Sequence, residues 1–256
     1  MATILLKKSY LINSLKEVPF NDLWGQHGVF TTIRLIGKPL KIIFLKNHIN
    51  NLINSAKIYK IHKKKLNLKL EKILKMNLIK NKKYNHLLRL AINKNVISIS
   101  IRNRASLSKN FKIKLLDYKR INPKYKNLKY NFILKNIKKI NTKSFDLALI
   151  KNKQIFETAT ANIIFIKNDK IYSPSQDFYK GITLKFINKQ FKINYCKIYL
   201  KNLSHYNEII LAGSGKGIVS VKAVQGVHWR RKSLKYYKIL NNYYKKAVTK
   251  CPRYYS

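Results

Sequence analysis

Acidic side chains are scarce in this chain: 9 Asp and Glu stand against 55 Lys and Arg, leaving a formal net charge of +46. Such a balance is the electrostatic footprint of a nucleic-acid binder, whose cations displace counterions from phosphates. The lysines, however, are spread along the whole chain beside abundant asparagine, isoleucine and tyrosine. That is a compositional bias and not one basic face, so nucleic acid is not expected as the main partner. Cysteine is nearly missing too. Cys196 and Cys251 lie far apart, with no CxxC spacing and no nearby histidine, which excludes a disulfide framework and a thiolate metal site and fits a reducing cytoplasm. The six histidines show no ligand spacing, and no metal site is expected. No apolar run approaches the ~18 residues of a membrane span, and MATILLKKSYLINSLKE lacks the apolar core and cleavage site of a secretory signal. A soluble, unprocessed protein without a membrane partner is expected.

What is present is enough to fold. The 256 residues are 46% hydrophobic and 12% aromatic, far above an unfoldable charged polymer. Gly28–Leu35 is rich in β-branched residues, Gly37-Lys38-Pro39 reads as a turn, and Leu40–Leu45 as a second short strand, together a hairpin. Helical spacing follows from His48 to Tyr59 and again from Leu66 to Ile79. Leu87–Ile92 and Val96–Ile101 read as paired strands and Phe111–Leu116 as a third. The polar segment Asp117–Lys126, containing Pro123, is the expected linker between an N-terminal α/β domain (1–116) and a C-terminal domain (127–256). In the latter, Leu128–Ile140 predicts a helix, Leu147–Ile150, Ile155–Glu157, Ile163–Ile166 and Ile171-Tyr172 strands, and Gly181-Ile182-Thr183 the start of a helix. Ile193–Leu200, Glu208–Leu211 and Ile218–Val224 predict strands and Leu234–Val248 a closing amphipathic helix. The fold class is α+β, in two domains with mostly antiparallel sheets.

The stretch LAGSGKGIVSV, Leu211–Val221, has the glycines and lysine of a phosphate loop. A P-loop pairs Gly-Lys with a hydroxyl residue and with a glycine five positions earlier. With Gly215-Lys216 as the pair, those positions hold Gly217 and Ile210, and the following IVSVKAV is strand-like where a P-loop enters a helix. The dinucleotide pattern fails as well, because Gly213, Gly215 and Gly217 are evenly spaced. A strand-connecting turn with Ser214 as an added donor remains, able to form a nest of N–H groups or simply to reverse the chain.

Four further stretches, GVFTTIR (Gly28–Arg34), YKNLKY (Tyr125–Tyr130), FETATANIIFI (Phe156–Ile166) and KGIT (Lys180–Thr183), occur in order before Ser214 and Gly217-Ile218. Together they resemble the fold-type IV pyridoxal-phosphate enzymes, the class IV aminotransferase family, which includes branched-chain aminotransferases, D-amino-acid aminotransferases and aminodeoxychorismate lyases. The resemblance runs from about residue 24 to about residue 230, and its most specific element is Glu157-Thr-Ala-Thr-Ala-Asn162-Ile163. It implies pyridoxal 5′-phosphate as cofactor, held as a Schiff base by Lys126, with Glu157 beside the pyridine nitrogen and with Ile182, Thr183 and Ser214 on the phosphate. Lys124 and Lys129 are neighbours that a shifted alignment would select. Phe30 is implied as an apolar wall and Arg89 as a cation for a substrate carboxylate. A small amino compound as substrate and a homodimer are further implications. The family's H-x-x-R-L reads His48-Ile-Asn-Asn51-Leu52 here, so the phosphate-clamping arginine is Asn51, and the arginine after Gly-Ile-Thr is Leu184. The loop at Ser214–Val221 and the short N-terminus lean toward the lyase-like members, with branched-chain or D-amino-acid transamination as the alternative; a basic nucleic-acid-binding protein, or a family member inactive for want of the two arginines at Asn51 and Leu184, is the alternative of another class.

Overall fold

Alternating apolar and polar residues along the early strands build a sheet with one oily face. In the computed structural model, which describes residues 4–255, β1 (Ile4–Leu11), β2 (Glu17–Val18), β3 (Val29–Gly37) and β4 (Lys41–Ile42) precede the helices α1 (Leu45–Ile58) and α2 (Leu66–Asn77), and β5 (Tyr84–Ile92) and β6 (Val96–Asn103) follow. The strands pair antiparallel in the order β2-β1-β6-β5-β3-β4. Val29, Ile33 and Leu35 on β3, with the alternate residues of β5 and β6, form a core with Ile49, Leu52 and Ala56 of α1 and Leu66, Leu70, Ile73 and Leu74 of α2. The intervening positions, Phe30, Thr32 and Arg34 on β3 and Arg89 on β5, therefore share the opposite face, with Thr32 directly across from Arg89.

The expected hairpin is shorter than the sequence predicts. Only Lys41 and Ile42 pair with β3, because Phe44 turns into the left-handed region at φ 56 and Leu45 already opens α1. Residues 125–131 also belong to this first compact unit, with the segment from Lys250. The Phe30 N–H donates to Lys126 O, and the Leu128 N–H to Gly28 O, at 2.9 Å each. The backbone of Lys126–Leu128 is thus engaged against β3, which is why the helix expected from Leu128 begins at Asn131 instead.

The second unit comprises Ser106–Lys124 and Phe132–Thr249. In chain order it contains β7 (Lys112–Asp117), α3 (Asn131–Ile137), β8 (Phe145–Lys151), β9 (Gln154–Thr158), β10 (Asn162–Lys167), β11 (Lys170–Pro174), α4 (Ile182–Ile187), β12 (Ile193–Cys196), β13 (Ile198–Tyr199), a 3-10 turn at Leu200–His205, β14 (Glu208–Gly213), β15 (Gly217–Ser220), β16 (Ala223–Val224), β17 (Trp229–Arg230) and α5 (Lys235–Lys250). Two sheets form, ordered β12-β11-β10-β14-β15 and β13-β9-β8-β7-β16-β17. Their facing residues, among them Phe111, Ile155, Ile163, Phe165, Ile209 and Leu211, make a second core. The strand expected at Phe111–Leu116 lies here and not with β5 and β6: it pairs in parallel with β8 and β16. This differs from a division after residue 116, because the parallel pairing engages β7 along its whole length.

Candidate active site

Sheet geometry decides where Glu157 points. Along β9, Ile155 pairs with Ile150 and Glu157 with Leu149, so one extra residue, Phe156, is inserted in the register. A bulge of this kind re-aims the side chains that follow it. Without it Glu157 would share the face of Ile155, a core residue; with it Glu157 lies across from Leu149 on the other face. The carboxylate is 4% exposed and is met by Arg120, whose Nη1 lies 3.2 Å from Oε1. The guanidinium is itself buried and donates from Nη2 to Pro123 O at 3.3 Å. Arg120 is a residue that sequence reasoning missed. It stands 37 positions from Glu157 in a chain where cations carry little information.

Beyond Glu157, the turn at Thr158–Asn162 ties several elements together. Asn162 opens β10; its Oδ1 accepts the Gly181 N–H at 2.9 Å and its side-chain amide donates to Tyr179 O, fixing the entry to α4. Ile182 and Thr183 follow and are both buried. Among the described residues the Thr183 hydroxyl, in a side chain 1% exposed, meets no hydrogen-bond partner. Leu184, in place of the family's arginine, is buried in α4. Ser214 lies in the connection between β14 and β15, closed by Gly213 opposite Gly217, with Gly217 at φ 76. A Cβ on Gly213 would come within 3.1 Å of Ala161 Cβ and 3.2 Å of Thr160 O, so the Ser214 loop packs directly on the turn after Glu157. Lys216, in the same loop, has its ammonium 3.8 Å from buried Asp146 and 4.7 Å above the ring of Phe111.

In the first unit Lys126 is half-buried and Lys129 exposed, and Lys124, the last residue of the second unit's first segment, is exposed as well. Its ammonium stands 5.0 Å from the centroid of Phe30, which also packs edge-on against Trp24 and Tyr130. Arg89 stacks on Trp24 at 4.2 Å and donates from Nη2 to Asp22 O. Burial depresses its guanidinium to about 10, with the Arg102 charge adding to the effect and Asp22 opposing it. Its Nη1 is buried without a hydrogen-bond partner among the described residues. His48 lies on the helix face of the sheet, its Nδ1 2.7 Å from the Thr31 hydroxyl, and burial, with the charge of Lys126 second, lowers its pKa to about 3. A neutral imidazole beside Lys126 adds no competing charge. Asn51 is half-buried on α1, and its carbonyl accepts the Ser55 hydroxyl at 2.8 Å. The two units thus divide the expected residues: Phe30, Arg89 and Lys126 in the first, Glu157, Ile182, Thr183 and Ser214 in the second. Groups of three or more His, Cys, Asp or Glu placed to hold a metal are absent among the described residues, as are helices long and apolar enough to cross a membrane.

Comparison with known proteins places this architecture. The chain matches the model of amino-transferase class IV over residues 28–224. The branched-chain aminotransferase of Thermoproteus uzoniensis, solved with norvaline, superposes with a TM-score of 0.74 at 16% identity, covering 95% of each chain. A T.th. branched-chain amino acid aminotransferase complexed with N-(5′-phosphopyridoxyl)-L-glutamate gives 0.74 at 16% identity, covering 98% of this chain and 97% of that one. A hypothetical aminotransferase from Mycobacterium tuberculosis in its PLP-bound form gives 0.70 at 12% identity, over 95% and 99%. The sequence matches none of the curated proteins with which it was compared. The match to the family model spans well over half of the chain and every motif stretch quoted above, and with it the α+β protein belongs to the class IV aminotransferase family.

Proposed function

We propose that the chain is a pyridoxal-phosphate-dependent enzyme acting on amino compounds, with Lys126 as the lysine that holds the cofactor's aldehyde. The observation that carries this reading is the buried Glu157, turned off the core by a bulge and steadied by Arg120. The residues present fit the cofactor. An unpaired hydroxyl as deeply buried as that of Thr183 is costly unless a ligand accepts from it, and a phosphate oxygen does so. When bound, pyridoxal phosphate supplies an electron sink for the substrate carbon. Glu157 holds the proton on the pyridine nitrogen. Ile182, through its backbone, and Thr183 and Ser214, through their hydroxyls, donate to the phosphate. Lys126, partly withdrawn from water, moves the proton at the substrate carbon. Phe30 walls the pocket, and Arg89, whose Nη1 meets no acceptor among the described residues, pairs with the substrate carboxylate. A homodimer belongs to this reading as the family implies it.

For the reaction itself, the neighbours' names favour amino-group transfer from branched-chain amino acids. A second reading, release of pyruvate from aminodeoxychorismate, is favoured by the Ser214-x-x-Gly217-Ile218 loop. The purified protein is expected to show a visible absorbance band and to yield, after borohydride reduction and peptide mapping, one cofactor adduct on Lys126. An adduct on another lysine overturns that assignment, and absence of bound cofactor overturns the enzyme reading. Glutamate-dependent amination of branched-chain 2-oxo acids, set against pyruvate release, separates the two reactions.

A further inference from the structure

We infer that Asp146 and Lys216 form a buried clamp that locks the turn after Glu157 to the loop carrying Ser214, making Lys216 a positioning residue and not a phosphate ligand. Asp146 is 1% exposed, and its carboxylate gathers contacts from both segments. Oδ1 accepts the N–H of Leu147 at 2.8 Å. Oδ2 accepts the hydroxyls of Thr158 at 2.8 Å and Thr160 at 2.7 Å, and faces the Lys216 ammonium at 3.8 Å. Thr158 is the residue next to Glu157, and its hydroxyl also accepts the Ala161 N–H at 3.1 Å. Asp146, Ala148 and Ile150 share one face of β8, the face whose residues Ala148 and Ile150 pack in the second core. Lys216 reaches into that same region, because its ammonium lies over Phe111, a fully buried core ring.

The chemistry of the arrangement explains its parts. Three neutral donors alone leave a buried carboxylate undercompensated, and a cation completes the set. That cation comes from the opposite loop, so ionic attraction draws the 214–216 connection onto the 158–161 turn. Gly213 allows the closest approach, since even a methyl group there meets Ala161 and Thr160. The clamp joins two segments directly, the 158–161 turn that follows Glu157 and the Ser214 loop, and Asn162, whose side chain holds the entry to α4, is the next residue after that turn. In the cofactor reading proposed above, on which this part of the inference rests, these are the contacts to the pyridine nitrogen and to the phosphate. A shift of one loop against the other would misplace both ends of the cofactor relative to each other.

The test begins without cofactor. Hydrogen exchange is measured for the wild type and for Lys216→Met, which keeps the apolar stem and removes the charge. The clamp predicts faster exchange, by about tenfold or more, at amides in both 158–162 and 213–218, with the amides of Ile164 and Ile210 unchanged and with protection restored by Lys216→Arg. Asp146→Asn combined with Lys216→Met leaves no buried charge stranded and is expected to fold with the same two segments loosened. Exchange that is unchanged in 158–162, or altered only in 214–217, overturns the clamp. Pyridoxal phosphate titrated by fluorescence is then expected to bind Lys216→Met about tenfold more weakly or worse, with Lys216→Arg close to wild type. Equal affinity of Lys216→Met and wild type overturns the positioning role. A wild type that fails to bind cofactor while the exchange pattern holds overturns the cofactor reading and leaves the clamp in place.

Discussion

Of the nine acids, Asp146, Glu157 and Glu208 are buried, and each is met by a cation or by several donors. Glu157 depends on Arg120, so Arg120→Met is expected to lower stability by about 3–5 kcal/mol in urea unfolding, the range for stranding one member of a buried pair. Arg120→Met with Glu157→Gln should recover most of that loss without recovering cofactor affinity; a double variant no more stable than the single one would show that the guanidinium acts by packing alone. His48 makes a different statement. Its pKa falls from 6.5 in the unfolded chain to about 3 in the fold, so between those values the unfolded state binds the extra proton. The stability it contributes is complete above pH 6.5 and is lost as pH falls toward 3, with a slope of at most about 1.4 kcal/mol per pH unit. His48→Gln, which keeps a partner for Thr31, should flatten that part of the stability profile. At this scale the sequence was legible where residue types are rare. Glu157 stood out because acids are few, whereas Arg120 and the inward turn of Lys216 were hidden among 55 cations.

Helix ends show how the chain manages with so few acids. Among the described residues none of the helices α1 to α5 carries an acidic residue in its first turn, and α1 and α2 have no side-chain cap at their starts. For α5 a distant acid does the capping: Glu208, at the start of β14, accepts the N–H groups of Tyr236 and Tyr237 at 2.8 Å each and the Ser233 hydroxyl at 3.0 Å. A carboxylate at a helix N-terminus also opposes the positive end of the dipole. Glu208→Ala leaves those donors without their acceptor and is expected to cost about 1–3 kcal/mol, with faster amide exchange in the first turn of α5. Unchanged exchange there would mean that α5 is held by Leu240 and Tyr244 alone. Gly28 gives a second element-level prediction. A Cβ there would run into the carbonyl oxygen of Ile92 and lie 2.6 Å from the Leu128 side chain, so Gly28→Ala should force β3 away from β5 and Leu128 and lower the melting temperature. Strand and helix types were largely readable from periodicity. Leu40–Leu45 and Leu128 have the right composition for a longer strand and a longer helix, but different things ended them: β3, a partner outside the local window, engages the Lys126–Leu128 backbone, whereas Phe44, inside its own window, turns left-handed and starts α1 early. The bulge at Phe156 has no local signature at all, yet it decides which way Glu157 faces.

Charge is the property of the whole molecule that the fold does not neutralise. Lys8–Glu17, Lys119–Asp177, Lys151–Asp117 and Lys235–Asp169 pair nearer the surface, where water and the entropy of holding two long side chains offset most of the attraction. Against them stands a formal net charge of +46, whose self-repulsion favours expansion. Salt acts on both. Raising ionic strength from about 0.01 M to about 1 M shortens the screening length from about 30 Å to about 3 Å, weakening the few exposed attractions and the many repulsions together. Because the repulsions far outnumber the attractions, the melting temperature should rise with sodium chloride, steeply at first and then level as the screening length falls below the spacing of surface lysines. The buried pairs Arg120–Glu157 and Lys216–Asp146 are screened least, so the rise should persist in Lys216→Met with the same salt slope from a lower starting point. Nucleic acid binding follows from the same excess: any affinity should be independent of sequence and collapse over that salt range, while pyridoxal phosphate, held by buried donors, should lose far less. A melting temperature that falls with salt would assign the stability to surface ion pairs. Nucleic acid affinity that survives high salt would mark a built interface and not a diffuse field.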